Sequence, residues 1–178
     1  MTGAAGEYAK ALFSLTEELG TTEEALSDIR LVRQALCDNP EYIKLTDTPA
    51  LSVPEKLSLI DEAFSSLDES TLNTVKILCE RHSMHILPEL AKKFDALYNE
   101  SRGIIPAEVI SASKLSEEAM QKLKLKLEAK TGKSVVLTNT VDESIIGGLK
   151  LRYAGIQLDG SLRARLDSIE KSLKSAIV

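Results

Sequence analysis

Through roughly the first hundred residues, apolar positions recur every three or four, and past Gly103 that rhythm gives way to stretches of alternation. Tyr8, Leu12, Leu15 and Leu19 share one face of a helix predicted over Glu7–Leu19, and Ala9, Ala11 and Phe13 widen its apolar surface beyond a single stripe. Gly20 suits the left-handed residue that ends it. Thr21-Thr22-Glu23-Glu24 reads as a capping box for a second helix carrying Ala25, Ile29, Val32 and Leu36, which Asn39-Pro40 stops. A short helical turn is expected over Tyr42–Leu45. Ser52-Val53-Pro54-Glu55 is a second capping box, followed at helical spacing by Leu57, Ile60, Phe64 and Leu67. Leu72, Val75, Leu78 and Cys79 mark a fifth helix, and Pro88 opens a sixth through Leu90, Ala91, Phe94, Leu97 and Tyr98. Helices this short are marginal alone, so they must bury their faces against one another and form a bundle ending near Ser101-Arg102-Gly103.

Beyond Gly103, Ala107–Ala112 reads as a strand and Ser116 as the cap of a helix to Thr131, with Glu117 and Glu118 early and Lys126 and Lys130 late, as the helix dipole favours. Lys122-Leu123-Lys124-Leu125-Lys126-Leu127 alternates like a strand, but segment length, the cap and the Gly132 stop argue for helix. Val135-Val136-Leu137 reads as a buried strand. Gly147-Gly148 gives the backbone freedom for a bulge or for close approach by a neighbouring chain. Leu149, Leu151 and Tyr153 then alternate with Lys150 and Arg152, Ala154-Gly155 signals a tight turn, and Ile156 and Leu158 continue the alternation on a return strand. Asp159-Gly160-Ser161 ends the pair, with Ser161 placed to cap a last helix bearing Leu162, Leu166, Ile169 and Leu173. The predicted fold is mainly α: an N-terminal six-helix bundle over residues 1–103, then a small α/β domain, β-α-β-β-α, over residues 104–178.

Composition sharpens this only in places. Aromatic residues are 4% of the chain and tryptophan is absent, so the core must be built from Leu, Ile, Val and Ala. No apolar run approaches the ~20 residues needed to cross a bilayer. The first residues lack the basic and apolar regions of a signal peptide, so a cytoplasmic location is expected, with any membrane association made through partners. The net charge of −5 is unevenly spread: residues 1–103 hold 10 basic against 18 acidic side chains, residues 104–178 hold 12 against 9. That shift suggests two units with different partners, and the acidic total argues against nucleic acid.

Each chemical motif has a plainer explanation. Gly132-Lys133-Ser134 looks like the end of a phosphate-binding loop, but the required glycine five residues before Gly132 is Leu127, and a helix precedes where a strand should, so a helix C-cap is the better reading. Gly147-Gly148 precedes a strand instead of opening a helix, which leaves no helix N-terminus to hold an anion. Cys79, His82 and His85, spaced by three, are the one candidate metal-ligand set, and a fourth ligand is not evident. Cys37 and Cys79 fit buried small hydrophobes better than a disulfide. There is no nucleophile elbow and no flanked histidine for a triad, so no catalytic, cofactor-binding or metal residue is assigned. Arg163 and Arg165, in the first turns of the last helix, oppose its dipole. Either Asp159 offsets Arg163 locally or the two arginines face an acidic partner.

The order Gly147-Gly148-Leu149-Lys150-Leu151-Arg152, a short turn, then Asp159-Gly160-Ser161-Leu162-Arg163-Ala164-Arg165-Leu166 resembles the signature of the delta subunit family of bacterial F-type ATP synthases, relatives of the mitochondrial oligomycin-sensitivity-conferring protein. Length, the helical first half and the position of the motif agree, so the resemblance covers essentially the whole chain. It implies a non-catalytic stator subunit, monomeric within its complex and peripheral on the cytoplasmic face of the cell membrane. Such a subunit joins the catalytic head to the peripheral stalk and resists rotor torque during proton-driven ATP synthesis. It further implies that the first domain binds the N-terminal helix of an alpha subunit, for which Tyr8, Leu12, Leu15, Leu72, Val75 and Cys79 are the expected contacts. The second domain should meet the stalk b subunits, with Gly147, Gly148, Lys150, Arg152, Arg163 and Arg165 as candidates. The physical reading alone reaches a helical adaptor; an unrelated cytoplasmic scaffold and a small enzyme are the alternatives.

Overall fold

Apolar stripes at helical spacing dominate the first half of the chain, and each becomes a helix. The computed structural model describes residues 3–48 and 51–162. Its chain divides into two units, Met1–Tyr98 and Asn99–Val178. In the first lie α1 (Ala4–Leu19), α2 (Thr22–Asp38), α3 (Pro40–Asp47), α4 (Val53–Ala63) and α5 (Glu69–Glu80), then a 3₁₀ turn at Met84–Ile86 and α6 (Leu87–Ser101). Ala9 and Leu12 of α1, Ile29, Val32 and Leu36 of α2, Ile60 of α4, Val75 and Leu78 of α5, and Leu90 and Phe94 of α6 form one buried cluster. Phe13 meets Phe94 edge to face at 5.7 Å, a geometry that ring quadrupoles favour. Outside that core, Arg30 and Arg33 of α2 converge on Asp95 of α6 at 2.7 and 3.9 Å.

Two caps behave differently. Glu55 reaches back to Ser52, accepting from its backbone N–H at 2.9 Å and its hydroxyl at 2.6 Å, as the capping-box spacing requires. The box expected at Thr21 does not form. Gly20 turns left-handed (φ 74°) and the Thr21 N–H donates back to the Thr16 carbonyl at 2.9 Å. This leaves Thr21 at φ −105°, ψ 23°, outside the extended region an N-cap side chain needs, with its buried Oγ1 unpaired. The turn expected over Tyr42–Leu45 is the eight-residue α3, which Pro40 opens at a position where its missing N–H costs nothing.

In the second unit β1 (Ile104–Ser111) runs parallel to β2 (Ser134–Val141) and antiparallel to β3 (Leu149–Tyr153), which pairs antiparallel with β4 (Ile156–Asp159). The sheet order is β2-β1-β3-β4, and α7 (Glu117–Thr131) makes the crossover between the parallel strands. Among the described residues the order is therefore β-α-β-β-β, one strand more than the β-α-β-β-α label allows, because Val135–Leu137, β3 and β4 all join one sheet. The helix expected over Leu162–Leu173 lies, beyond Leu162, outside the described residues.

Leu123 and Leu127 of α7 close over Ala107, Val109, Val135, Leu151 and Tyr153. Two strands depart from expectation. β2 is not a buried strand: Val135 is 1% exposed but Val136 is 54% exposed, because β2 is the sheet edge and its outer face is uncovered. Ile156 and Leu158 on β4, the other edge, are likewise exposed at 48% and 45%.

Candidate functional site

Helix α1 carries two apolar stripes, one more than a single buried contact needs. Ala5, Ala9, Leu12 and Thr16 face inward and are buried. Ala4, Tyr8, Ala11, Leu15 and Leu19, at i, i+4, i+7, i+11 and i+15, form a second stripe that is exposed or half-buried, Leu15 at 45% and Leu19 at 60%. The neighbouring α5 packs against α1 and presents half-buried Leu72 and exposed Ile77. Of the six residues expected to line a groove here, Leu12, Val75 and Cys79 are instead core side chains at 0–2% exposure. Periodicity could not separate them from the surface stripe, because both sets are apolar. Tyr8, Leu15 and Leu72 remain reachable by a partner.

Cys79, His82 and His85 do not assemble. Burial pushes the Cys79 thiol up, nearby Asp47 and Glu80 act in the same sense, and Lys56 opposes them. His82 Nδ1 lies 3.0 Å from the Lys56 ammonium, whereas His85 Nδ1 lies 2.8 Å from Asp47. Asp47 also accepts from the Met84 and His85 backbone N–H groups. Among the described residues no group of three or more His, Cys, Asp or Glu side chains is placed to hold a metal ion. Sequence reasoning missed Lys56, which is 1% exposed beneath these groups. The signal was its place four residues before Ile60, on the inward face of α4.

In the second unit the two halves of the glycine motif meet each other. Gly148 sits at φ 82°, and a Cβ there would lie 2.4 Å from the Gly160 carbonyl oxygen and 2.9 Å from Ser161 Cα. A Cβ on Gly147 would lie 2.8 Å from the Leu162 side chain. The Gly160 N–H donates to Leu149 O and the Leu162 N–H to Gly147 O, both at 2.9 Å. The close approach is thus within the chain: the glycines fasten the base of the β3–β4 hairpin. Asp159 accepts from the Ser161 N–H at 2.9 Å and pairs with Lys150 at 3.5 Å. Hydrogen bonding to Ser161, and secondarily Lys150, holds its carboxyl below the ordinary range. Lys150 is thus a local partner of Asp159. Arg152 pairs with Glu108 at 3.5 Å on the same face of the sheet as Lys150. Arg163 and Arg165 lie outside the described residues.

Gly132, at φ 67°, closes α7 by donating its N–H to Glu128 O, so the phosphate-loop fragment is a helix C-cap. Helix α1 carries apolar surface beyond its buried stripe, and the described residues form a two-unit, mainly helical protein with a small four-stranded sheet. Comparison gives that class its family. Residues 4–173 match the family described as ATP synthase delta (OSCP) subunit, and the chain belongs to it. It is 37% identical to the ATP synthase subunit delta of Geobacillus sp. (strain WCH70), over 95% of this chain and 96% of that one. It is 33% identical to the subunit of the same name from Priestia megaterium, over 95% and 94%. The fold superposes with a TM-score of 0.74 on a chain of the Toxoplasma gondii mitochondrial ATP synthase hexamer at 26% identity, covering 96% of this chain and 97% of that one. The protein is a peripheral-stalk component of F-type ATP synthase, structural and not catalytic. No described helix is long and apolar enough to cross a membrane.

Proposed function

We propose that the chain holds the catalytic head of the synthase to its stalk by binding at both ends, so that rotor torque drives ATP synthesis instead of turning the head. Residues 1–103, as a six-helix bundle, take the N-terminal helix of an alpha subunit. Residues 104–178 take the C-terminal ends of the b subunits, and the protein acts as a single copy on the cytoplasmic face of the membrane. The observation that carries the first contact is the second apolar stripe on α1. An amphipathic helix lying along it would cover Tyr8, Ala11, Leu15 and Leu19, with Leu72 alongside, which is recognition by apolar anchors in a groove. Burying one such large side chain contributes about 1.5–3 kcal/mol, or roughly ten-fold or more in affinity. The test is titration of the full chain with a peptide of the alpha N-terminus. Leu15→Ser should weaken binding about ten-fold without lowering the unfolding midpoint, and Tyr8→Ser should weaken it about as much while also lowering the midpoint, since Tyr8 is half-buried against the core. Unchanged affinity in the double variant overturns the assignment. At the other end, Lys150→Glu with Arg152→Glu should weaken capture of the b subunits, increasingly so at low salt.

A further inference from the structure

We propose that the outer edge of β2 is a docking site for an extended, acidic segment of a stalk chain, which adds to the sheet as a fifth strand. This rests on the reading of the protein as a stalk subunit and names a surface within it. Strand β2 is eight residues long, twice the length of β4 at the opposite edge. It contains no proline, glycine or charged residue to discourage pairing. Its backbone orientation follows from two hydrogen bonds. The Val135 N–H turns away from β1 to reach Glu128 Oε1 at 3.0 Å, while the Asp142 N–H turns toward β1 to reach Ser111 O at 2.9 Å. Successive residues of a strand point their backbone groups to opposite sides, so Leu137, Asn139 and Val141 aim theirs outward. Glu128 fills the first place on that edge and leaves the later ones for an incoming strand.

Beside the edge runs a cleft of about 630 Å³ between β2 and α7. Its apolar lining comes from Leu115, Met120, Val135, Val136 and Leu137. Val136 and Val141 are each about half exposed, ready to meet alternate side chains of an added strand. Charge selects the occupant. Lys114 and Lys124 line the cleft with one acid, Glu117. Lys114 makes no ion pair among the described residues, and Lys124 only a 3.9 Å contact with Glu128. Lys133 precedes the strand and three further lysines lie on α7, at 122, 126 and 130. A segment alternating apolar and acidic residues fits both the cleft and its rim.

The experiment is hydrogen exchange on the full chain, free and bound to purified stalk b subunits. The amides of Leu137, Asn139 and Val141 should slow at least ten-fold on binding, and Lys114→Glu with Lys124→Glu should weaken binding about ten-fold at moderate salt. Binding that leaves those amides at their free rates overturns the edge site and leaves the stalk reading standing. Slowing confined to other elements does the same. No binding to the b subunits overturns both.

Discussion

Glycines at two positions of the same hairpin are under different demands. Gly155 is left-handed at φ 77° with open space around it, whereas Gly148 is left-handed and also pressed against Gly160–Ser161. Gly155→Ala should therefore cost about 1 kcal/mol, the backbone strain alone. Gly148→Ala should cost about 3 kcal/mol or more, since the strand base must also open; thermal unfolding of the two variants decides. The need for freedom at the double glycine is legible in sequence, but which segment presses on it is not, because Gly160 lies twelve residues on and only the hairpin register brings it close. Lys56 was hidden for another reason: a lysine is read as surface even where, as here, it stands one helical turn before a buried Ile60. Among the described residues its one hydrogen-bonding partner is a ring nitrogen of His82, thin compensation for a buried ammonium. Lys56→Met should raise stability by about 1 kcal/mol in denaturant unfolding. Among the described residues three carboxyls are held below their ordinary values by hydrogen bonds: Glu55 to Ser52, Asp142 to Ser144 and Asp159 to Ser161. The unfolded chain binds protons there first, so their small contribution is complete above the ordinary values of 4.5 for Glu55 and 3.8 for the aspartates and fades as pH falls through the lower folded values. Asp159→Asn should flatten the fall of the second unit's melting point as pH drops below the ordinary aspartate value of 3.8.

Among the elements, α7 decides most clearly between two readings. A strand would put Leu123, Leu125 and Leu127 on one face; the helix buries Leu127 at 5% exposure and leaves Leu125 at 59%. Leu127→Ala should cost about 2–4 kcal/mol and Leu125→Ala almost nothing, by the shift in denaturation midpoint. Capping and length carried the helix where alternation pointed the other way. The reverse happened with β2, whose apolar run suggested burial, and with β4, whose alternation suggested one buried face. Exposure of an edge strand depends on the order of strands in the sheet, and that order is a long-range property the local pattern does not contain. The two stripes on α1 show the same limit: the sequence marks the helix as apolar on more than one side, and only packing tells which side stays outside.

For the molecule as a whole, the change from helical rhythm to alternation near Gly103 is visible in the chain and falls close to the division at Tyr98 and Asn99. The function was legible through the spacing of the glycine pair and the Asp-Gly-Ser segment, whose members turn out to touch. Physical patterning alone stopped at a binding protein, because a structural subunit keeps no reactive constellation that spacing could reveal. Cys79 is buried, with its thiol pushed up, whereas Cys37 is exposed on α2 and not the buried residue its helical setting suggested; the contrast has a practical corollary. These are the chain's two thiols, so a maleimide dye should modify the native protein once, on α2, and a second time only after the bundle opens. Counting adducts by mass then gauges whether the first unit is intact while the stator is under load.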